Sequence, residues 1–223
     1  MRLRWLAAWS LAAASSVIPA FAQFSPIATP TSAYTGATTV MSIPGANFST
    51  TNTLTDGTLT LNFSSTLSVR TVPGGGWATW NSPPATESST PKVLAGVGLT
   101  TLTITLPTGN TIFGFEVEPN GPGTFLVTAT YYNGATVLGS IPLSIPANSG
   151  ALLAAASSST PITSVVVTAP GGAGGFAMAQ FRYAAAPAVA AVPALGTPAL
   201  CGLALALLVG GMLLARRQGL VGG

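Results

Sequence analysis

Histidine is missing from this 223-residue sequence, and its one cysteine, Cys201, lies in an apolar run near the C-terminus. Without histidine there is no Ser-His or Cys-His nucleophile pair, and nearly all zinc and copper sites are excluded. A single cysteine cannot form a disulfide within the chain. We therefore expect a protein that is not an enzyme and that holds no cofactor or metal.

Charged residues are also scarce, at 5% of the sequence. The formal net charge is +3, but four of the seven basic residues, Arg2, Arg4, Arg216 and Arg217, lie at the two ends of the chain. Residues 23–186 carry three basic against four acidic side chains, a net charge of −1. A nucleic-acid-binding surface needs a basic patch on the folded domain. The sequence therefore excludes nucleic acid as a partner.

Residues 1–22 have the three parts of a secretory signal peptide. Arg2 and Arg4 supply a positive region, an apolar stretch follows, and Ala20 and Ala22 form an A-x-A cleavage site. The same uncharged stretch could serve as an anchor, but the small residues at its end favour cleavage. We therefore expect a signal peptide and a mature protein that is exported across the inner membrane.

A second apolar run, residues 199–215, predicts a transmembrane helix. Its 17 residues would span about 25 Å as an α-helix, and membrane-spanning helices have about 17–25 residues. Arg216 and Arg217 follow directly. The positive-inside rule places them, with the rest of the basic tail at residues 216–223, in the cytoplasm. Everything before the helix would then lie outside the cytoplasm.

Residues 184–198 form an Ala/Pro-rich linker that contains a short motif. The motif consists of Val192, Pro193, Ala194 and Leu195. Together with the helix and the arginine pair, it resembles the IPTL-CTERM and PEP-CTERM sorting tails of surface proteins of Gram-negative bacteria. It matches the IPTL pattern at Pro193 and Leu195 and lacks the Glu of the PEP pattern. The resemblance implies recognition by an exosortase-like sorting protease, cleavage near the motif, and a final location in the cell envelope, at the surface or outside the cell. An ordinary C-terminal membrane anchor is the alternative.

Between the two targeting segments, the sequence shows the period of two that is typical of β-strands. Apolar residues alternate with polar ones at Leu59, Leu61 and Phe63, at Leu102, Ile104 and Leu106, at Phe113, Phe115 and Val117, and at Val127, Ala129 and Tyr131. Asn133-Gly134 is a strong hairpin signal, and the β-branched run 162–168 predicts a central strand. Eight or nine short strands predict an all-β domain at residues 23–183, with a β-sandwich, jelly-roll-like fold.

Three further expectations concern strand boundaries and faces. Residues 107–110, with the sequence Pro-Thr-Gly-Asn, predict a turn between two strands. Residues 72–94 are rich in Gly and Pro and predict a long loop. In the last strand, Phe176 and Met178 are expected on one face and Phe181 on the other.

The domain itself resembles the domain that often precedes such tails, on segments that include residues 76–80, 113–120 and 174–181. Members of that group are exported β-sandwiches, and many have Asp in the last strand after a Phe-Ala pair. Ala179 and Gln180 occupy that place here. We therefore do not expect a calcium site built on those carboxylates.

The tryptophans and one pair of glutamates supply the candidate sites. Trp77 and Trp80 lie in the Gly-rich loop and are possible glycan contacts, because indole rings stack on sugar rings. The alternative is that they cap one end of the core. Glu116 and Glu118 share one strand face, about 7 Å apart between Cα atoms, and we expect that face to be solvated. A glycosidase pair, or a weak cation site with Asn120, is the lesser alternative.

These features predict a non-enzymatic exported surface or matrix protein that its C-terminal tail sorts to the cell envelope. The alternative is a carbohydrate-binding module that acts on extracellular polysaccharide. A glycan-active enzyme is disfavoured by the residue inventory. The expected partners are the membrane, the sorting protease and, in the alternative, a polysaccharide.

Overall fold

The computed structural model describes residues 24–158 and 160–185, with the backbone alone at residues 107–109. The predicted signal peptide, sorting motif, transmembrane helix and basic tail all lie outside these residues. The chain divides into a compact unit that ends at Ala186 and a second unit, Pro187–Gly223, which is likewise outside the described part. Among the described residues, no helix has the length and apolar character needed to cross a membrane.

The described residues form eleven strands and one short α-helix. In chain order these are β1 Phe24–Ile27, α1 Ser32–Ala37, β2 Thr39–Val40, β3 Thr50–Thr55, β4 Thr60–Thr71, β5 Lys92–Val97, β6 Thr101–Pro119, β7 Thr124–Asn133, β8 Thr136–Pro146, β9 Ala151–Ser157, β10 Ile162–Thr168 and β11 Gly175–Ala185. The prediction of an all-β domain is thereby confirmed. The strand count exceeds the predicted eight or nine, and β1 and β2 are short pieces with little apolar alternation to reveal them.

The eleven strands of the described residues belong to one continuous hydrogen-bonded sheet, which folds into two layers. The first layer has the order β3-β4-β6-β10-β7-β8, and the second has β1-β9-β6-β11-β5-β4, with β2 also paired to β11. All of these strand pairings are antiparallel. The strands β4 and β6 belong to both layers. Inward-facing residues of both layers join in one core cluster, which includes Leu61, Ile104, Phe115, Tyr131 and Val165. With β4 and β6 shared by both layers, this is a sandwich-like or barrel-like β-fold, and the jelly-roll-like strand order stays a prediction.

The predicted turn at residues 107–110 is wrong, because β6 runs without interruption from Thr101 to Pro119. Its first part pairs with β10 and β4, and its second part pairs with β11 and β9. On β10, Ile162 and Ser164 pair with Asn110 and Thr105, so β6 has extra residues at this point. Such a bulge bends a strand, and here it lets one strand pass from one layer to the other.

The predicted hairpin is confirmed, with its loop one residue later than expected. Asn133 pairs with Thr136, so the two loop residues are Gly134 and Ala135. The φ angle of Gly134 is 55°, in the left-handed region that glycine adopts without strain. The strand β8 forms an edge of the first layer, and β10 lies between β6 and β7, as its β-branched run predicted.

The prediction for the faces of β11 is wrong in its second half. Phe176 and Met178 point into the core, but so does Phe181. Gln180 has a φ angle of 49°, and the pairing of β11 with β6 shifts between Ala179 and Arg182. This bulge adds one residue and reverses the alternation after it.

Candidate functional site

A long connection covers the outer face of the second layer. Residues 72–91, here called the crossover segment, join β4 to β5 and make up most of the loop predicted at residues 72–94. The last three residues of that prediction, 92–94, are wrong, because β5 begins at Lys92. Because Phe113, Phe115 and Val117 point into the core, Glu116 and Glu118 must point outward on the same strand. The crossover segment lies over them, and their exposed fractions are 0% and 2%. The prediction that this face is solvated is therefore wrong. The alternation of apolar and polar residues in β6 does not indicate which distant segment packs over its polar face.

Each buried glutamate accepts a hydrogen bond from a tryptophan. Trp80 Nε1 donates to Glu116 Oε2 at 3.0 Å, and Trp77 Nε1 donates to Glu118 Oε2 at 3.2 Å. The second oxygen of Glu116 accepts from the backbone N–H of Glu87 at 2.6 Å. Burying a carboxylate is costly unless its oxygens are paired, and these donors meet that requirement.

The two indoles lie in a second, smaller apolar cluster. Its other members are Val72, Val93, Ala95, Ala177 and Ala179. Trp77 and Trp80 are 5% and 8% exposed, so neither ring face is open to solvent. The structure therefore places both indoles against the outer face of the second layer, and only Trp77 also borders a cleft.

Burial changes the acid strength of both glutamates. Desolvation raises the pKa of Glu116 to about 7, although hydrogen bonds from Trp80 and from the Glu87 backbone act in the opposite direction. Desolvation also raises the pKa of Glu118, against hydrogen bonds from Thr79 and Trp77. Near neutral pH, Glu116 is thus divided between its protonated and ionised forms.

An ion pair ties the crossover segment to β11. The Nε atom of Arg182 lies 2.7 Å from Glu87 Oε1, and its second amino nitrogen lies 2.7 Å from Glu87 Oε2. The guanidinium also donates to the carbonyl oxygens of Thr35 and Thr38. Paired, planar contacts of this kind are the stronger type of ion pair, and this one holds the crossover segment, α1 and β11 together.

An open cleft of about 640 Å³ lies at one end of the covered face. It is bordered by the start of the crossover segment, by the end of β6 with the turn after it, and by Ala147 and Asn148. Its polar side chains are those of Thr79, Glu118, Asn120 and Asn148. The cleft thus offers three neutral hydrogen-bonding groups, beside a carboxyl group on a residue that is only 2% exposed.

The polar groups of the cleft form hydrogen bonds within the protein, but some of their donors and acceptors remain unused. Thr79 Oγ1 lies 2.6 Å from Glu118 Oε1 and 3.1 Å from Asn148 Oδ1, and its single proton serves one of these oxygens at a time. Asn120 Nδ2 donates to the carbonyl oxygen of Gly174 at 3.1 Å. Asn120 and Asn148 are both exposed, so their remaining donors and acceptors face solvent.

The structure does not bring together a metal site from the predicted residues. Glu116 does not border the cleft, whereas Glu118 and Asn120 do. In the described part of the chain, no three His, Cys, Asp or Glu side chains lie where they could hold a metal ion together.

One exposed aromatic residue beside the cleft was missed by sequence reasoning. Phe48 is 59% exposed, and its φ angle is 68°. A left-handed backbone costs about 1–3 kcal/mol for a residue other than glycine. The Arg70 guanidinium carbon lies 4.2 Å from the centre of the Phe48 ring. No sequence signal distinguishes Phe48, because it lies in a Thr- and Ser-rich stretch without clear periodicity.

Phe48 adjoins the wall of the cleft through Gly76. A Cβ atom built on Gly76 would lie 2.9 Å from Phe48 Cε1 and 3.0 Å from Arg70 Cδ. Gly76 also borders the cleft. A side chain at this position would therefore displace the phenylalanine ring, and the absence of one lets the ring lie against the loop.

No protein-family model matches the chain, and no curated protein matches it. Solved structures similar to part of this chain include the following three. A bacteriophage CBA120 tailspike protein 4 enzymatically active domain is 18% identical with a TM-score of 0.31, over 58% of this chain and 19% of that one. A family 11 carbohydrate-binding module from Clostridium thermocellum, in complex with a β-1,3-1,4-mixed-linked tetrasaccharide, is 14% identical with a TM-score of 0.30, over 60% and 95%. The C-terminal CBM6 of LamC from Zobellia galactanivorans is 13% identical with a TM-score of 0.25, over 66% and 98%. No residue role is carried over from these proteins to this chain.

Proposed function

We propose that this chain is an exported, non-enzymatic β-sandwich protein that binds carbohydrate in the cleft and is sorted to the cell envelope by its C-terminal tail. The observation that carries the binding proposal is the open cleft itself, with Thr79, Asn120 and Asn148 at its surface. Ligand pockets typically have volumes of about 300–1,000 Å³, and a cleft of about 640 Å³ lies in this range. It is large enough for a few sugar residues.

The chemistry of the cleft suits a ligand rich in hydroxyl groups. Each sugar hydroxyl both donates and accepts, and so do amide and hydroxyl side chains. Asn120 and Asn148 are exposed at the cleft, and the hydrogen bonds described above use only part of each amide group. Trp77 contributes an apolar edge. This combination favours a carbohydrate over an apolar small molecule.

The geometry of the two glutamates supports binding over glycoside hydrolysis. A glycosidase uses two carboxyl groups that flank the bond to be cleaved. Here only Glu118 borders the cleft, and Glu116 is enclosed beneath Trp80. Both carboxyl groups are also occupied by indole N–H donors. A non-enzymatic role therefore accounts for these residues best.

Replacing Asn148 by glycine together with Asn120 by alanine is expected to weaken polysaccharide binding about tenfold, since each lost hydrogen bond contributes about 0.5–1.5 kcal/mol. Glycine suits position 148 because the φ angle there is 62°. Binding of the full chain to a glycan array and to soluble polysaccharides would be measured, with Asn62→Ala as the control. Asn62 is exposed on the first layer, away from the cleft. Unchanged binding by the double variant would contradict the assignment to the cleft.

The sorting part of the proposal predicts that Pro193→Ala with Leu195→Asp blocks maturation and leaves the full-length protein in the inner membrane. A sorting protease reads these residues, whereas in a plain anchor they are linker. The measurement is the intact mass of the envelope-bound or released protein from a host that has the sorting enzyme. Pro187→Ala with Val189→Asp keeps the same spacing upstream and serves as the control. A mature wild-type protein that still ends at Gly223 would refute sorting.

A further inference from the structure

We propose that Phe48, held by Arg70, is the sugar-stacking platform of this binding site, and that the polysaccharide it selects carries carboxylate groups. This inference rests on the proposed carbohydrate-binding function, because the ring adjoins the cleft through Gly76. It does not involve Trp77 or Trp80, whose ring faces are closed.

The backbone of Phe48 is the first argument. Its φ angle of 68° is one that glycine or asparagine would adopt far more easily than phenylalanine. The strain places an aromatic ring in solvent, with 59% of the residue exposed, where it adds little to the core. Unfavourable conformations of this kind concentrate at functional sites. The fold gains nothing evident from a phenylalanine here, whereas a ligand that stacks on the ring would.

The ring is also held in place, which a binding platform requires. The backbone N–H of Phe48 donates to the carbonyl oxygen of Val69 at 2.8 Å. The Arg70 guanidinium lies over the ring, 4.2 Å from its centre. A cation in this position is attracted to the face of the ring. With its position fixed in this way, the exposed part of the ring is available to the C–H groups of a sugar.

The charges around the same loop indicate the class of sugar. Lys92 Nζ donates to the carbonyl oxygen of Gly45, three residues before Phe48. Within the described residues, neither Lys92 nor Arg70 forms an ion pair. Arg70 Nε is buried without a hydrogen-bond partner, so a ligand would meet the terminal nitrogens of the guanidinium. The third cation of this part of the chain, Arg182, is paired with Glu87. Both free cations therefore contact the segment that carries the platform.

A guanidinium matches a carboxylate, which can accept two parallel N–H hydrogen bonds from it. An aromatic ring beside an unpaired arginine suits a sugar ring that bears a carboxylate. A neutral sugar would stack on the phenylalanine ring but would form no ion pair with Arg70 or Lys92. The arrangement therefore favours a uronic-acid polysaccharide over a neutral glucan.

The test uses the full chain in mild detergent and three carboxylated polymers, namely polygalacturonate, alginate and hyaluronate. Each is paired with its carboxyl-reduced form, which keeps the sugar chain and removes the charge. We expect at least one acidic polymer to bind about tenfold more tightly than its reduced form. Its binding should also weaken as salt is added, because salt screens exposed charges.

Two variants and a control connect that binding to the platform. Phe48→Asn removes the ring, suits the left-handed backbone, and is expected to reduce affinity for the acidic polymer about tenfold without lowering the melting temperature. Arg70→Met should remove the preference for the acidic over the reduced form. Leu126→Asn, at a residue that is 55% exposed on the first layer, should change neither.

The possible failures are distinguishable. If the chain binds a polysaccharide and Phe48→Asn leaves the affinity unchanged, the platform is refuted and the proposed function stands. If acidic and reduced polymers bind equally, the assignment to carboxylated sugars is refuted. If no polysaccharide binds, the proposed function fails and this inference fails with it.

Discussion

Replacing Trp80 by alanine is expected to lower the free energy of unfolding by about 3–5 kcal/mol, the usual cost of removing a large buried aromatic side chain. The Trp80 ring packs in the outer apolar cluster, with Gly150 so close that a Cβ there would lie 2.8 Å from the indole. Its N–H also donates to the buried Glu116 carboxyl group. The substitution therefore leaves a cavity and deprives a buried carboxylate of a donor.

Trp80→Phe separates the two contributions. Phenylalanine retains most of the ring and loses the N–H, so the cost should fall to about 1–3 kcal/mol, the penalty for an unpaired buried polar group. Urea unfolding followed by circular dichroism measures both values. Leu126→Ala, at an exposed residue, should stay within about 0.5 kcal/mol of the wild type. A Trp80→Ala protein as stable as this control would show that the crossover segment does not contribute to the fold.

The second large effect is a loss of stability as the pH rises from 5 to 8. Burial raises the pKa of Glu116 from 4.5 to about 7. Between these two values the folded protein holds a proton that the unfolded chain releases, so the free energy of unfolding falls as the pH rises. The loss is complete above the folded-state pKa and amounts to at most about 3 kcal/mol. The raised pKa of Glu118 acts in the same direction.

Asp56 limits the stability on the acid side. Burial would raise its pKa, but hydrogen bonds from the backbone N–H groups of Leu59 and Thr58 outweigh it and lower the pKa. Its contribution is therefore present above its ordinary pKa and lost as the pH falls through the lowered value. The two effects together place the maximum of stability near pH 4, between the ordinary pKa of Asp56 at 3.8 and that of Glu116 at 4.5.

Urea unfolding at pH 5, 6, 7 and 8 measures this dependence. Glu116→Gln removes the group that titrates while keeping its size, and should leave only the smaller slope that Glu118 causes. A wild-type protein whose stability rises from pH 5 to pH 8 would show that Glu116 is ionised throughout, with its two N–H donors outweighing desolvation.

The local sequence pattern was sufficient to predict most of the strands. Alternation of apolar and polar residues predicted the inward faces of β4, β6 and β7, because successive side chains of a strand point to opposite sides. The Asn-Gly pair predicted the β7–β8 hairpin, since a tight turn needs residues that tolerate positive φ angles. These features depend only on neighbours along the chain.

The errors arose where a residue's surroundings come from distant parts of the chain. Glu116 and Glu118 were predicted to form a solvated face, because the two tryptophans that bury them lie 36 and 41 residues earlier in the chain. Phe181 was placed on the wrong face because the bulge at Gln180 depends on the pairing of β11 with β6. Phe48 carried no signal, since neither its exposure nor its backbone conformation is a local property.

The sequence by itself determined the scarcity of catalytic side chains, the basic residues at both termini and a β-rich domain, because these depend on residue inventory and on local periodicity. Only the tertiary structure decided which side of the second layer is covered, that two glutamates lie beneath two tryptophans, and that an exposed phenylalanine stands beside a polar cleft. Those arrangements follow from where the crossover segment packs. That packing is governed by the burial of apolar area between residues far apart in the chain, and no local pattern records it.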